Sequence, residues 1–252
     1  MIELQDVVVA YEDRVILDHV NLKIEDGETL VVLGGSGAGK STILRLVIGL
    51  QRPNSGRILV DGVDVVSLSD DEFNKVREKM GMVFQYSALF DSMTVAENVA
   101  FGLRQHTELK NADIKEIVQE KLDLVGLPDT ADYMPNELSG GMKKRISLAR
   151  AIAQNPSIIL YDEPTSGLDP ITSGTISKLI RSMQHHFNCT SIVVTHDMQS
   201  AFYVADRIAL LDNGKFIEVS SPTVFKKSKN PLVQQFIHGG DMLEDTADGG
   251  NE

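Results

Sequence analysis

"VVLGGSGAGKSTILRL", Val31 to Leu46, is the stretch that decides the fold. Residues Gly34 to Ser41 fit G-x-x-x-x-G-K-[ST], a phosphate-binding loop. An apolar run from Glu28 to Leu33 enters the motif as a strand, and Ile43, Leu44, Val47 and Ile48 leave it at helical spacing. The motif is therefore expected at a strand-to-helix junction. Gly34, Gly35, Gly37 and Gly39, with Ser36 and Ala38 between them, let the backbone wrap closely. Its N–H groups and the start of the next helix then face negative charge. Lys40 is expected to reach the β- and γ-phosphates of a nucleoside triphosphate. Ser41 is expected to hold Mg²⁺, and Thr42 to complete the set. A dinucleotide fingerprint fails here, because Lys40 stands where its last glycine is required.

A phosphate loop of this kind needs a carboxylate behind its metal, at the end of another buried strand. "SIILYDEP", Ser157 to Pro164, supplies a short apolar run that ends in two acids. Asp162 is expected behind Mg²⁺. Strand alternation puts Glu163 on the other face, as general base for an attacking water.

Bulk composition limits what this chemistry can serve. The 252 residues, 42% hydrophobic, suffice for one large domain with a lobe inserted into it. Cys189 is the only cysteine, so no intrachain disulfide is possible and a reducing compartment, the cytoplasm by default, is expected. The first residues, MIELQD, are acidic and lead into a strand, which predicts neither a secretory signal nor a transit peptide. No apolar run approaches the roughly 18 residues needed to cross a bilayer. Any membrane role is thus expected to come through partner proteins. A formal net charge of -12 argues against a nucleic-acid partner, since neutralising phosphates requires a basic face.

Strands are expected at Ile2–Ala10, Val20–Ile24, Arg57–Val60 and Met80–Phe84, with a helix around Asp70–Lys79. From Thr94 to about Ala153 the pattern is helical, broken at Gly126–Asp129 and at Pro135. We read residues 86–155 as an inserted helical lobe. Strand and helix then alternate again: Ser157–Asp162, a helix from Ile171, Thr190–Thr195, a helix from Met198, and Arg207–Leu211 with a hairpin through Asp212–Gly214. The alternation predicts an α/β domain over residues 1–238 with a mainly parallel sheet. The final residues 239–252, "GGDMLEDTADGGNE", hold five acidic residues and no basic one, which predicts a disordered tail.

"LSGGMKKRISLARAI", Leu138 to Ile152, precedes the acidic strand. Its glycines open a long helix, and Ser139 suits either the N-cap or an anion. An isolated SGG would be plain capping, but order changes the reading. A P-loop, Gln85 in "MVFQ", the LSGG helix, the DE strand, "SGLD" and a histidine in "VVTHD" follow one another. In that order they resemble the ATP-binding cassette family across nearly the full chain. The resemblance implies a P-loop ATPase with a parallel core sheet, an antiparallel β subdomain and an inserted helical subdomain, and ATP with Mg²⁺ as its ligands. It further implies that Tyr11 stacks on adenine, Gln85 meets Mg²⁺ and the attacking water, Asp169 is the D-loop carboxylate, and His196 contacts the γ-phosphate. Ser139, Gly140 and Gly141 would lie against ATP held by a second copy of the chain, so that two antiparallel copies close over two nucleotides.

Two positions depart from the usual family pattern. Met142 stands where glutamine is commonest, and Gly35 where proline is frequent. "LSGGMKKR", "ALFDSMTVAENV" (Ala88 to Val99), "DPIT" (Asp169 to Thr172) and "QQFIHG" (Gln234 to Gly239) look like the Mla/Mce-type lipid-transport ATPases of double-membraned bacteria and their organellar relatives. That likeness implies two permease subunits, with Mce-domain and STAS-domain proteins as further partners. The chain would sit on the cytoplasmic face of the inner membrane. Polar amino acid importers share much of the pattern and form the alternative. Leu89, Phe90 and Met93, around an expected surface turn, are the candidate grip on a permease helix, with packing inside the helical lobe as the other reading.

Overall fold

A computed structural model describes residues 1–12 and 14–238. The acidic segment 239–252, for which the sequence predicts disorder, lies outside the described residues.

Two sheets make the frame. The first is antiparallel, in the order β2-β1-β4-β5, from β1 (Ile2–Tyr11), β2 (Arg14–Ile24), β4 (Ser55–Val60) and the two-residue β5 (Val63–Asp64). The second runs β10-β9-β3-β8-β7-β6, from β3 (Thr29–Leu33), β6 (Met80–Val83), β7 (Ile158–Asp162), β8 (Thr190–Val194), β9 (Arg207–Asp212) and β10 (Lys215–Ser220). Five of its strands are parallel, and β10 returns antiparallel to β9 through the expected hairpin.

The apolar runs in the second sheet follow from burial on both faces. Along β3, Leu30 and Val32 enter a core shared with β1, β2 and helix α1 (Lys40–Val47), whereas Val31 and Leu33 enter a second core with the helical half. Strand alternation thus divides one apolar strand between two cores.

Several helices begin where side chains cap them. Ser69 opens α2 (Asp70–Arg77) and Thr94 opens α3 (Val95–His106), each with a reciprocal glutamate three residues on. After α4 (Asn111–Leu124) and a 3₁₀ turn at Pro135–Glu137, Ser139 caps α5 (Gly140–Ala151). Asp169 caps α6 (Pro170–Phe187) and Asp197 caps α7 (Met198–Val204). Two short helices close the described chain, α8 (Pro222–Phe225) and α9 (Pro231–Ile237).

Two local expectations are corrected. β2 starts at Arg14 rather than Val20, because it hairpins directly onto β1 with Tyr11 opposite Arg14. The helical stretch breaks a third time, at Thr107, whose hydroxyl and N–H both bond back to the Leu103 carbonyl and end α3. The helices α3 to α5 nevertheless form one packed group between β6 and β7 in chain order.

Candidate functional site

The P-loop follows β3, Gln85 follows β6, Glu163 follows β7 and His196 follows β8. All four strands are parallel, so these residues gather at one edge of the sheet, where open α/β sheets bind ligands. There they line a cavity of about 490 Å³ together with Lys40, Ser41 and Phe236.

The loop geometry requires glycine at two points. A Cβ on Gly34 would lie 2.5 Å from the Leu211 carbonyl oxygen of β9. Gly39 has φ +102°, which L side chains rarely adopt, and a Cβ there would stand 3.0 Å from the Leu17 side chain. The loop is thereby pressed against the sheet on one side and the β1–β2 hairpin on the other.

Lys40, the first residue of α1, folds back to donate to the carbonyls of Gly34 at 2.8 Å and Gly35 at 3.0 Å. Its ammonium is 3.9 Å from Glu163 Oε1. Burial pushes it below the ordinary lysine value, against the opposing pull of Glu163 and Asp162. A buried cation with two anions behind it and a cavity in front is equipped to meet phosphate.

Ser41 Oγ donates to Asp162 Oδ1 at 2.9 Å, across 121 residues of sequence. This hydroxyl and carboxylate are hard oxygen donors of the kind Mg²⁺ takes, and they leave most of an octahedral shell to phosphate and water. The donor set fits that ion.

Glu163 does not continue the strand. Its φ is +46°, which ends the alternation at Asp162 and turns the carboxylate into the same cavity rather than to the opposite face. There Oε2 accepts from the buried Thr195 hydroxyl at 3.3 Å and lies 2.9 Å from His196 Nδ1. His196 is mostly exposed and Glu163 mostly buried, so the pair spans the cavity wall.

Other expected residues lie elsewhere. Tyr11 ends β1, half exposed, at the tip of the hairpin whose Arg14 guanidinium reaches within 3.7 Å of the Cβ position of Gly37. Thr42 is half-buried on α1. Ser139 and Gly140 are exposed at the start of α5, and neither they nor Gly141 line the Lys40 cavity among the described residues. Ser139 Oγ accepts from the Met142 N–H at 3.3 Å. Asp169 Oδ1 accepts from the N–H groups of Ile171 and Thr172, each at 3.0 Å, and its carboxyl is held below the usual carboxylate range chiefly by the Thr172 hydroxyl. Within one chain it acts as a helix cap.

Sequence reading missed three residues of the site. Thr195 is buried beneath Glu163, Lys144 reaches the site from α5, and Phe236 arrives from α9. Only Lys144 left a signal, as a lysine at a position that the helix buries.

A second hollow, of about 590 Å³, opens between α2, β6, α3 and α5. Met80, Met82, Phe84, Phe90 and Phe101 form its apolar floor, with Arg77 and Arg150 among the charged groups around it. Phe90 is 40% exposed and stands against Phe101, ring centroids 4.6 Å apart. Asn98 secures this turn by accepting from the Phe90 N–H and donating to the carbonyls of Phe90, Met93 and Thr94. Of the two expected neighbours, Leu89 packs against the core and Met93 is half-buried, and neither lines the hollow. Anchoring by Asn98 turns Phe90 outward and leaves Leu89 on the inside.

The family model described as ABC transporter matches residues 17–166. The intermembrane phospholipid transport system ATP-binding protein MlaF of Haemophilus influenzae is 42% identical over 239 residues, 95% of this chain and 90% of that protein. The methionine import ATP-binding protein MetN of Carboxydothermus hydrogenoformans is 45% identical over 223 residues, 88% of this chain and 66% of that protein. Among solved structures, the dimeric post-hydrolysis state of the ATP-binding cassette MJ0796, bound to ADP and Pi, aligns with a TM-score of 0.82 and 34% identity, covering 88% of this chain and 99% of that one.

Proposed function

This chain belongs to the ABC transporter family as one of its ATPase cassettes, and on that premise we propose that it drives phospholipid transport. The observation that carries the substrate reading is the 42% identity to an intermembrane phospholipid transport ATPase along 95% of this chain, joined to Met142 in the LSGG motif. The second reading, import of an amino acid or another polar solute, is favoured by the 45% identity to a methionine import protein over 88% of the chain.

In this reading the polar residues in and around the cavity divide the work. Lys40 exchanges its two loop carbonyls for the β- and γ-phosphates, while P-loop N–H groups face the phosphate oxygens. Ser41, Asp162 and Gln85 would hold Mg²⁺, which would supply charge neutralisation at the phosphates. Glu163 accepts a proton from the attacking water, and Gln85 orients that water. His196 keeps Nδ1 on Glu163 and presents Nε2 to the γ-phosphate. Tyr11 stacks on adenine at the hairpin tip.

Ser139, Gly140, Gly141 and Asp169 act on the nucleotide of a second copy, in keeping with their place outside the Lys40 cavity among the described residues. Hydrolysis removes the γ-phosphate link and lets the pair reopen. No described helix is long and apolar enough to cross a membrane, and in this reading permease subunits take up the stroke. The apolar hollow at Phe90 is the surface we assign to them, and through them the chain sits peripherally on the inner membrane, with Mce-domain and STAS-domain proteins as further partners.

The test is reconstitution of this chain with its neighbouring membrane subunits. ATP should move phospholipid between the complex and an acceptor membrane, and Glu163→Gln should abolish the transfer. A complex that moves no lipid, and whose hydrolysis is stimulated by an amino acid with its binding protein, decides for the polar-solute importer.

A further inference from the structure

Lys144 lies on α5, five residues beyond Ser139, with only 5% of its surface exposed. A buried ammonium persists only where it is hydrogen-bonded and electrostatically matched. Its Nζ donates to the carbonyl of Glu163 at 3.2 Å and to the carbonyl of Gln85. Burial lowers its proton affinity, and the nearby charges of Asp162 and Glu163 oppose that shift.

The two carbonyls belong to segments that otherwise part company. β6 and β7 pair in parallel from Met80 opposite Ile158 to Val83 opposite Tyr161, and there the ladder ends. Gln85 and Glu163 lie two residues beyond its last rung. Lys144 bridges the chains where the next rungs would have stood. On the far side, the Glu163 N–H donates to the Val194 carbonyl at 2.9 Å. Glu163 also has a left-handed backbone, a conformation that costs a non-glycine residue on the order of 1–3 kcal/mol and needs support from its surroundings. Its peptide groups are therefore held from both sides, by β8 and by Lys144.

We propose that Lys144 is a positioning residue for hydrolysis, a strut from α5 that fixes the Gln85 segment against the Glu163 segment through their backbone carbonyls. The inference rests on the reading of Gln85 and Glu163 given above. Because α5 begins at Ser139, which that reading sets against the partner's nucleotide, a shift of the helix reaches the glutamine and the base together. Arg150, six residues further along α5, grips the same loop by donating to the carbonyls of Ser87 and Ala88, at 2.8 and 2.6 Å, and does not touch Glu163. It is the natural contrast.

The experiment compares the full-length wild type, Lys144→Met, Lys144→Arg, Arg150→Met and Glu163→Gln by steady-state ATPase kinetics and amide hydrogen exchange. Lys144→Met should lower kcat on the order of 10–100-fold, the cost of displacing aligned groups by about 1 Å, while KM for ATP changes about 2-fold or less. Exchange at residues 84–88 and 163–166 should rise together. Lys144→Arg should restore kcat to within about 3-fold and restore protection at both segments, because it again supplies charged donors. Arg150→Met should loosen 87–88 alone. If Lys144→Met does not fold by circular dichroism, Lys144→Gln, which keeps a neutral and shorter NH₂ donor and loses the charge, makes the same comparison. Equal losses in kcat and KM without rescue by arginine, or a rise in exchange at one segment only, would overturn the strut. Glu163→Gln separates the two claims: wild-type turnover in that variant refutes the base, whereas the paired exchange pattern still judges Lys144.

Discussion

His196 Nδ1 lies 2.9 Å from Glu163 Oε2, joining the ends of neighbouring strands β8 and β7 at the wall of the Lys40 cavity. Replacing the carboxylate by an amide keeps its shape and removes its basicity. Glu163→Gln should lower hydrolysis by on the order of 10²–10⁴-fold while ATP still binds. Bound ATP should then hold two chains together, visible as a larger dimer fraction in gel filtration with ATP than for wild type. Continued hydrolysis with no extra dimer would remove Glu163 from the role of base.

Lys40 stands on the other side of the same carboxylate, 3.9 Å from Oε1. Lys40→Ala removes a buried cation, and in the proposed reading its charged hydrogen bonds to phosphate are worth about 1.5–3 kcal/mol. ATP affinity by calorimetry should fall about 10–100-fold and hydrolysis should stop. Circular dichroism should stay that of the wild type, since the Lys40 hydrogen bonds go to the loop carbonyls of Gly34 and Gly35 rather than to a core element. Unchanged ATPase activity in the assembled complex would refute the phosphate-loop assignment.

The loop's close approach to the sheet gives a stability prediction. A methyl group on Gly34 would stand 2.5 Å from the Leu211 carbonyl oxygen, closer than any real Cβ contact, and backbone is what it would meet. Gly34→Ala should therefore destabilise the fold by about 1–3 kcal/mol, measured by denaturant unfolding. Gly35→Ala, where the added methyl meets nothing within 4 Å, should be close to neutral. Equal stability of the two variants would contradict the packing described here.

Much of this site was legible because its residues occur in local motifs at strand ends. A run such as "SIILYDEP" announces a buried strand and the place where it stops. The turn of Glu163 into the cavity was not legible, since alternation predicts the opposite face and the peptide groups of Glu163, at positive φ, are bonded to Val194 and Lys144. Those contacts join segments 19 and 31 residues away, and no local pattern encodes them. The same limit explains Leu89 and Phe90. Adjacent apolar residues look alike in sequence, and the choice of which faces out is made by Asn98, eight residues on from Phe90.

Ser139 caps its own helix and is exposed beyond the Lys40 cavity, so its effect on nucleotide should appear only between chains. Ser139→Arg should leave ATP affinity of the single chain within about 2-fold of wild type, because no contact in its own site is lost. The ATP-dependent dimer of Glu163→Gln should disappear when Ser139→Arg is added, as the larger cation blocks the approach of the partner's nucleotide. Loss of ATP affinity in the isolated monomer would mean that the serine acts within its own chain.

Phe90 and Gln85 sit five residues apart on one segment, the first in the apolar hollow and the second on the Lys40 cavity. Arg150 and Lys144 clamp the carbonyls between them, so a helix seated in the hollow would press on a short stretch tied at both ends to α5. Phe90→Asp puts a charge into an apolar floor at a residue already 40% exposed, which should disturb docking far more than folding. ATP affinity should stay within about 2-fold, while co-purification with the permease subunits falls about 10-fold or more, and any stimulation of hydrolysis by them is lost with it. Leu89→Asp makes the opposite comparison: Leu89 packs on the core, so the charge should lower the melting temperature as well as assembly. Full assembly of Phe90→Asp with the permease would show that the membrane partner grips another face.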